Sequence, residues 1–419
     1  LRTHRVVAAI IALLFTPFLR AEEQNFTWNE CLIYSRSHNA QIAAAKQKVE
    51  SIQAEYSGAK GVTLPSVSAD AGLNHSDNFE DEQSGKNSYS AGVSAKQQIY
   101  SSTFSQIEYY GLEVEKARVS YKSTSAEVRC SLRSSFVNLM YAQNLLTVTG
   151  EIAERRRQNA RLVQLQYEGG RENRGNYLNA KASLSQAEYN LSSAKRSLSL
   201  CKREMAQLMG LTSDISVSIQ GQFAVPAAET EPDFAELTAL HFDLSKIEYD
   251  NALLKQQLTI AYLGYAPDIY ATGALTTGSE IGGDATSGWS AGVQASVPIF
   301  DGFQRESKIK AAESNLREAA ENLRNQKGAS ALAIESAWND YVQALESVSV
   351  KKEYLAASQE RAKINKSQYA LGLVTYTNWA SVEDELASAT TQYASAVSEA
   401  LITQAQWQKQ KGVTIEDEE

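Results

Sequence analysis

Two hydrophobic periods run through the chain, and each occurs twice. Trp289, Ala291, Val293, Ala295, Val297 and Ile299 fall on every second position, opposite Ser290, Gly292, Gln294 and Ser296. Tyr89, Ala91, Val93, Ala95 and Ile99 stand opposite Ser90, Gly92, Ser94 and Lys96 in the same way. A segment before each also alternates, with Val67, Ala69, Ala71 and Leu73 opposite Ser66, Ser68, Asp70 and Asn74 in the first case. Period two predicts strands, at about 64–75, 88–100, 266–277 and 288–300. A face of small polar residues is one that meets water. The linkers SDNFEDEQSGKN and TGSEIGGDATSG read as hairpin loops.

The second period is seven. Leu132, Leu139, Leu146, Ala153, Ala160 and Tyr167 recur at that spacing, as do Ile334, Tyr341, Val348, Leu355, Ala362 and Tyr369. After a short break, apolar residues three and four apart resume from Leu184 to Leu208 and from Trp379 to Trp407. This is a coiled-coil seam, predicting helical hairpins over about 101–210 and 303–410. A helix from about 303 to 370 would be roughly 100 Å long, too long to fold inside a globule. Shorter helical segments are expected over about 27–58 and 233–262.

These elements recur in one order, so the chain reads as a duplication with repeats at 22–220 and 221–419. LPSVSADAGL (64–73) resembles APDIYATGAL (266–275), and YSAGVSA (89–95) resembles WSAGVQA (289–295). The helical break repeats too: Tyr167 and Tyr369 each stand three places before a glycine, Gly170 and Gly372, with an aromatic seven places after it.

The net charge of −9 argues against a nucleic-acid partner. Arg2 and Arg5, the run VVAAIIALLF and the small Ala21 make residues 1–21 a signal peptide with expected cleavage after Ala21; a short membrane anchor is the alternative. The three cysteines, Cys31, Cys130 and Cys201, and the four histidines are scattered, without metal-ligand spacing or a nucleophile motif. No catalytic, cofactor-binding or metal residue is expected, and no enzyme.

Strands of ten to twelve residues are long enough to cross an outer membrane obliquely, apolar face to lipid and polar face to a lumen. Four strands cannot close a barrel, and an open edge cannot sit in lipid. Several chains must therefore pool their strands, and three would supply twelve.

Three stretches carry a resemblance to the TolC family of outer-membrane channel proteins. VPIFDGFQRESKIKAA (297–312) is similar to its strand-to-helix passage, where Pro298 and Gly302 turn the chain; TWNECLIYSRSHNAQIAAA (27–45) is similar to its opening helix; YALGLVTYTNWASVEDELASA (369–389) is similar to its hairpin turn. The resemblance implies an all-α dominated fold with a transmembrane β-barrel part: a homotrimer with a twelve-strand barrel and a twelve-helix periplasmic tunnel. It implies an exit duct for a tripartite efflux pump or type I secretion system, with a periplasmic adaptor and an inner-membrane transporter that supplies energy. Adaptor docking would fall on Gly170, Gly372, Leu373, Val374 and Thr375, and a tip gate on Asn176, Tyr177 and Asn378.

The chain departs from the family pattern in three places. Gln98 stands where the second half has Pro298, the opening helix has His38-Asn39-Ala40 in place of Asn-Pro, and Asn176 and Asn378 stand where the family places an acid. An exported coiled-coil spacer or adhesin is the competing reading, although a spacer has no need for two matched amphipathic hairpins. A periplasmic adaptor would show one hairpin and a lipoyl-like domain.

Overall fold

The computed structural model describes residues 23–76, 86–211, 216–225 and 229–417. The leader reading at 1–21 lies outside them, as does most of the first hairpin loop. Contacts divide the chain into two units that cut across the sequence repeats. One draws on the chain up to Ala43, on Ser125–Pro232 and on Ala333–Glu419; the other takes Ala44–Thr124 and Asp233–Leu332.

The second unit holds the sheet. Strands β2 (Ser66–Ser76), β3 (Lys86–Tyr100), β5 (Asp268–Glu280) and β6 (Thr286–Ser296) lie in the order β2-β3-β5-β6, all antiparallel. The two repeats thus join through β3 and β5, leaving β2 and β6 as edges. The register aligns Ala69, Val93, Leu275 and Trp289 across all four strands on one face. Asp70, Gly92, Thr276 and Gly288 form the next row, on the opposite face. The alternation seen in sequence is therefore coherent across the sheet, one side apolar and the other small and polar.

Two expectations need correction here. The second loop shrinks to residues 281–285, because β5 runs through Glu280 and β6 starts at Thr286. Serine and threonine fit the pleat and bond across it, with Ser287 Oγ donating to Thr277 Oγ1 at 3.0 Å. The strand expected to reach about 300 stops at Ser296, since Pro298 has no N–H to offer the ladder.

Helix α2 (Ala40–Lys60) from Ala44 onward, α5 (Phe234–Leu240) and α6 (Phe242–Leu263) belong to this unit, with the first parts of α3 (Phe104–Glu168) and α7 (Gln304–Ala370). Ile52, Val114 and Ala117 make a small core there, flanked by Val49 and Tyr56.

The first unit holds the remainder of α3 and α7 with α4 (Arg174–Met209) and α8 (Tyr376–Gln410). Leu132, Leu139, Ala153, Ile334, Tyr341 and Ala362 on the seven-residue seam are all buried. Strand β1 (Glu23–Phe26) pairs in parallel with β4 (Ser216–Ile219), next to α1 (Trp28–His38). Thr27 and Glu30 cap α1 reciprocally. Asn39 breaks α1 from α2 without a proline: its Oδ1 accepts from the N–H groups of Gln41 and Ile42, while its Nδ2 donates to the Leu208 carbonyl at 2.8 Å. That carbonyl lies near the end of α4, where Gly210 takes φ +74° and a Cβ would stand 2.3 Å from the His38 oxygen. Only glycine fits this crossing.

Candidate functional site: the two hairpin tips

Both long hairpins turn by one mechanism. Helix α3 ends with Gly170 at φ +70°, its N–H donating to the Tyr167 carbonyl and that of Arg171 to Gln166. Helix α7 ends with Gly372 at φ +76°, its N–H donating to Tyr369 and that of Leu373 to Gln368. Each pair of bonds is a Schellman motif, in which a left-handed residue lets the chain turn back and satisfy the last helical carbonyls. The next helix starts under a side-chain cap. Asn173 Oδ1 accepts from the Asn176 N–H at 2.9 Å, and Thr375 Oγ1 from the Asn378 N–H at 3.3 Å.

The aromatic after each glycine now has a structural role. Tyr177 stacks on Tyr167 with centroids 5.3 Å apart, and Trp379 stacks on Tyr369 at 4.3 Å. Each stack clamps the two helices just inside the turn. Tyr177, expected at a gate, is engaged with its own hairpin in this way.

The tips are nonetheless unlike in chemistry. The second presents Leu371 and Leu373, 75% and 71% exposed, whereas the first carries Gly169, Arg171, Glu172 and Arg174. Val374 is half-buried against a cluster of Val163, Ala180, Tyr369, Tyr376 and Trp379, so the two tips share one small core. Thr375 and Asn378 are exposed, and Asn176 is half-buried with its Nδ2 donating to Glu172 at 2.8 Å.

Two polar links escaped the sequence reading. Glu172 also accepts from the Tyr369 hydroxyl at 3.0 Å, which ties the first turn to the second hairpin. Burial, then the Glu172 carboxylate, push the Tyr369 hydroxyl far above its ordinary value. Deeper in the bundle, Arg155 of α3 grips Glu383 of α8 with two bonds of 2.6 and 2.8 Å, and Asn159 Nδ2 adds a third at 3.0 Å. Burial alone would raise the Glu383 carboxyl, but Arg155 and Asn159 hold it below the usual carboxylate range. The run EIAERRRQNAR and the acids of SVEDELAS carried a signal of charge, without one of pairing.

At the strand-to-helix passage, Gly302 takes φ +68° and Phe303 follows at +66°. Arg305 holds the turn, donating to the Pro298 carbonyl and to Asp301, each at 2.8 Å. In the first half, by contrast, β3 continues past Gln98 to Tyr100 through a register shift. Among the described residues no group of His, Cys, Asp and Glu could hold a metal ion, and no helix is long and apolar enough to cross a membrane. Tyr89, Leu275, Trp289 and Val293 on the apolar sheet face are all exposed.

The fold matches solved membrane proteins at low identity. A membrane protein from Pseudomonas aeruginosa superposes with a TM-score of 0.83 at 15% identity, covering 92% of this chain and 93% of that one. The outer membrane protein VceC from Vibrio cholerae gives 0.81 at 16%, covering 93% and 97%. The outer membrane efflux protein BepC of Brucella suis biovar 1 is 27% identical over 128 residues, 30% of this chain and 28% of its own length. The match thus spans under a third of that curated relative. The outer membrane efflux protein family matches residues 34–211 and again 235–411, so both halves carry the family pattern, and the chain belongs to this TolC-like family of outer-membrane proteins.

Proposed function

We propose that the protein is the outer-membrane exit duct of a tripartite efflux pump or type I secretion system. It conducts solutes passively, as a homotrimer, while an inner-membrane transporter reached through a periplasmic adaptor supplies the energy. The observation that carries this is the sheet: four amphipathic strands, apolar on one face, with β2 and β6 unpaired at its edges. Unpaired edges are costly in lipid, and joining β6 of one copy to β2 of the next removes every edge at once. Three copies make twelve strands and enclose a lumen lined by the small polar face. Nothing in such a duct calls for bond chemistry.

The repeats at 22–220 and 221–419 each supply one β-hairpin and one helical hairpin. Adaptor docking falls on the turns, with Gly170 and Gly372 shaping them and Leu373, Val374 and Thr375 flanking the second. Leu371 joins this set, because exposed apolar side chains at a helix tip suit a partner helical tip. Asn176, Tyr177 and Asn378 stand close to the same end and are the residues through which the tip would respond to opening. Asn378→Asp is expected to introduce block of the periplasmic end by divalent cations.

The deciding experiment is purification from outer membranes, measuring oligomer mass and planar-bilayer conductance on one sample. A trimer with stable conductance is the expected result. A monomer removed from membranes by urea, without conductance, overturns the reading.

A further inference from the structure

The polar face of the sheet is not uniform along its length. Over most of it the side chains are small: Ser68, Ser94, Ala274 and Ser290 form one row, and Asp70, Gly92, Thr276 and Gly288 another. At the end where the strands pass into the helices the residues become large. Gln98, Tyr270 and Gln294 are direct neighbours across three strands, and Lys96 stands in the adjoining row beside Ser66 and Thr272. The Lys96 ammonium lies 4.0 Å from the centre of the Tyr270 ring, a cation–π contact that holds it at this level.

Charge on this face is sparse. Lys86 and Glu280 pair with each other at 2.9 Å at the opposite end. Asp70 and Asp268 each lie four positions along the strands from the Lys96 row, about 13 Å at the rise of a strand. That exceeds the screening length of roughly 8 Å at physiological salt. Among the charged residues of this face, Lys96 is therefore the one that stands at this level.

We propose that Lys96, seated on Tyr270 beside the row of Gln98 and Gln294, is the selectivity determinant of the barrel, a positive collar at the end where the strands pass into the helices that favours anionic and neutral solutes over cations. The collar rests on the duct reading, since one Lys96 per protomer must face a shared lumen. Its effect is electrostatic, so it is strong only within a screening length and fades as salt rises.

The test is the reversal potential of the purified trimer across a potassium chloride gradient near 0.1 M. Lys96→Glu is expected to move the chloride-to-potassium permeability ratio toward potassium by at least about threefold, with Lys96→Gln intermediate. Lys96→Arg should keep the wild-type ratio, and the Lys96→Glu shift should shrink near 1 M salt. Unchanged ratios in both Lys96→Glu and Lys96→Gln, with conductance intact, overturn the collar and leave the duct standing. A wild-type protein without conductance overturns the duct and the collar with it.

Discussion

The Tyr369 hydroxyl donates to Glu172 across 3.0 Å, so a nearly buried residue of the second hairpin is fastened to the exposed turn of the first. The two tips are therefore one packed object within the protomer. A bond between residues 197 positions apart in sequence holds them together, along with the core around Trp379.

That link is expected to be energetically coupled. Tyr369→Phe and Glu172→Gln should each lower stability by about 1.5–3 kcal/mol, the range for a hydrogen bond to a charged group. A double-mutant cycle read by chemical denaturation should return a coupling of about 0.5–3 kcal/mol. Strict additivity would place the two residues in independent roles. Tyr369→Ala, which also removes the stacking partner of Trp379, should cost about 3–5 kcal/mol.

The Arg155–Glu383 pair makes a pH-dependent prediction. Glu383 is nearly buried and its carboxyl is held low in the folded protein. Its contribution is therefore complete above the unfolded glutamate value of about 4.3 and is lost as pH falls below it toward the folded value. Thermal melts from pH 7 down to 3 should show Glu383→Gln losing less stability over the acid range than the wild type. At pH 7, Arg155→Ala should be destabilised by about 3 kcal/mol, the lower end for a broken buried pair because the guanidinium keeps some solvent contact.

The turn glycines separate shape from docking. At φ +76° any other L-residue at 372 costs about 1–2 kcal/mol, and no atom stands near its missing side chain. Gly372→Ala should thus assemble with a modest loss of stability. Gly372→Arg should assemble as well yet abolish drug resistance in cells, since it alters the surface offered to the adaptor. Full resistance in that variant, with trimer present in outer membranes, would remove Gly372 from the docking surface.

Sidedness of the sheet can be tested with one charge on each face. Leu275→Arg places a guanidinium on the apolar face, at a cost of about 2–4 kcal/mol near the membrane midplane. Outer-membrane fractionation should show it depleted. Ser290→Arg, on the polar face one position from Trp289, should fractionate like the wild type. Equal membrane yields for the two variants would argue against lipid contact at Leu275.

Most of the architecture was legible along the chain because it rests on local repetition. The alternation around Trp289 and Tyr89 marked the strands and their apolar sides, and the seven-residue recurrence marked the seam on which Leu132, Leu139 and Ala153 are buried. The glycine–aromatic spacing at Gly170 and Gly372 located both tips, although the stacking that explains it was not visible. Phe303 beside Gly302 carries no such signal, because a left-handed phenylalanine leaves no mark in sequence. The departure at His38-Asn39-Ala40 is visible along the chain, but nothing in those residues alone reveals that Asn39 can cap α2 and reach Leu208.

The sequence by itself determined the kinds of element, their duplicated order and the apolar face of each strand, since these follow from side chains two, three, four or seven positions apart. Only the tertiary structure decided which elements meet. The strand order β2-β3-β5-β6, the Glu172–Tyr369 tie and the Arg155–Glu383 pair join residues from opposite halves of the chain. The physical reason is that such pairings depend on where long helices and strands bring distant side chains together, a relation with no period to be read in one chain.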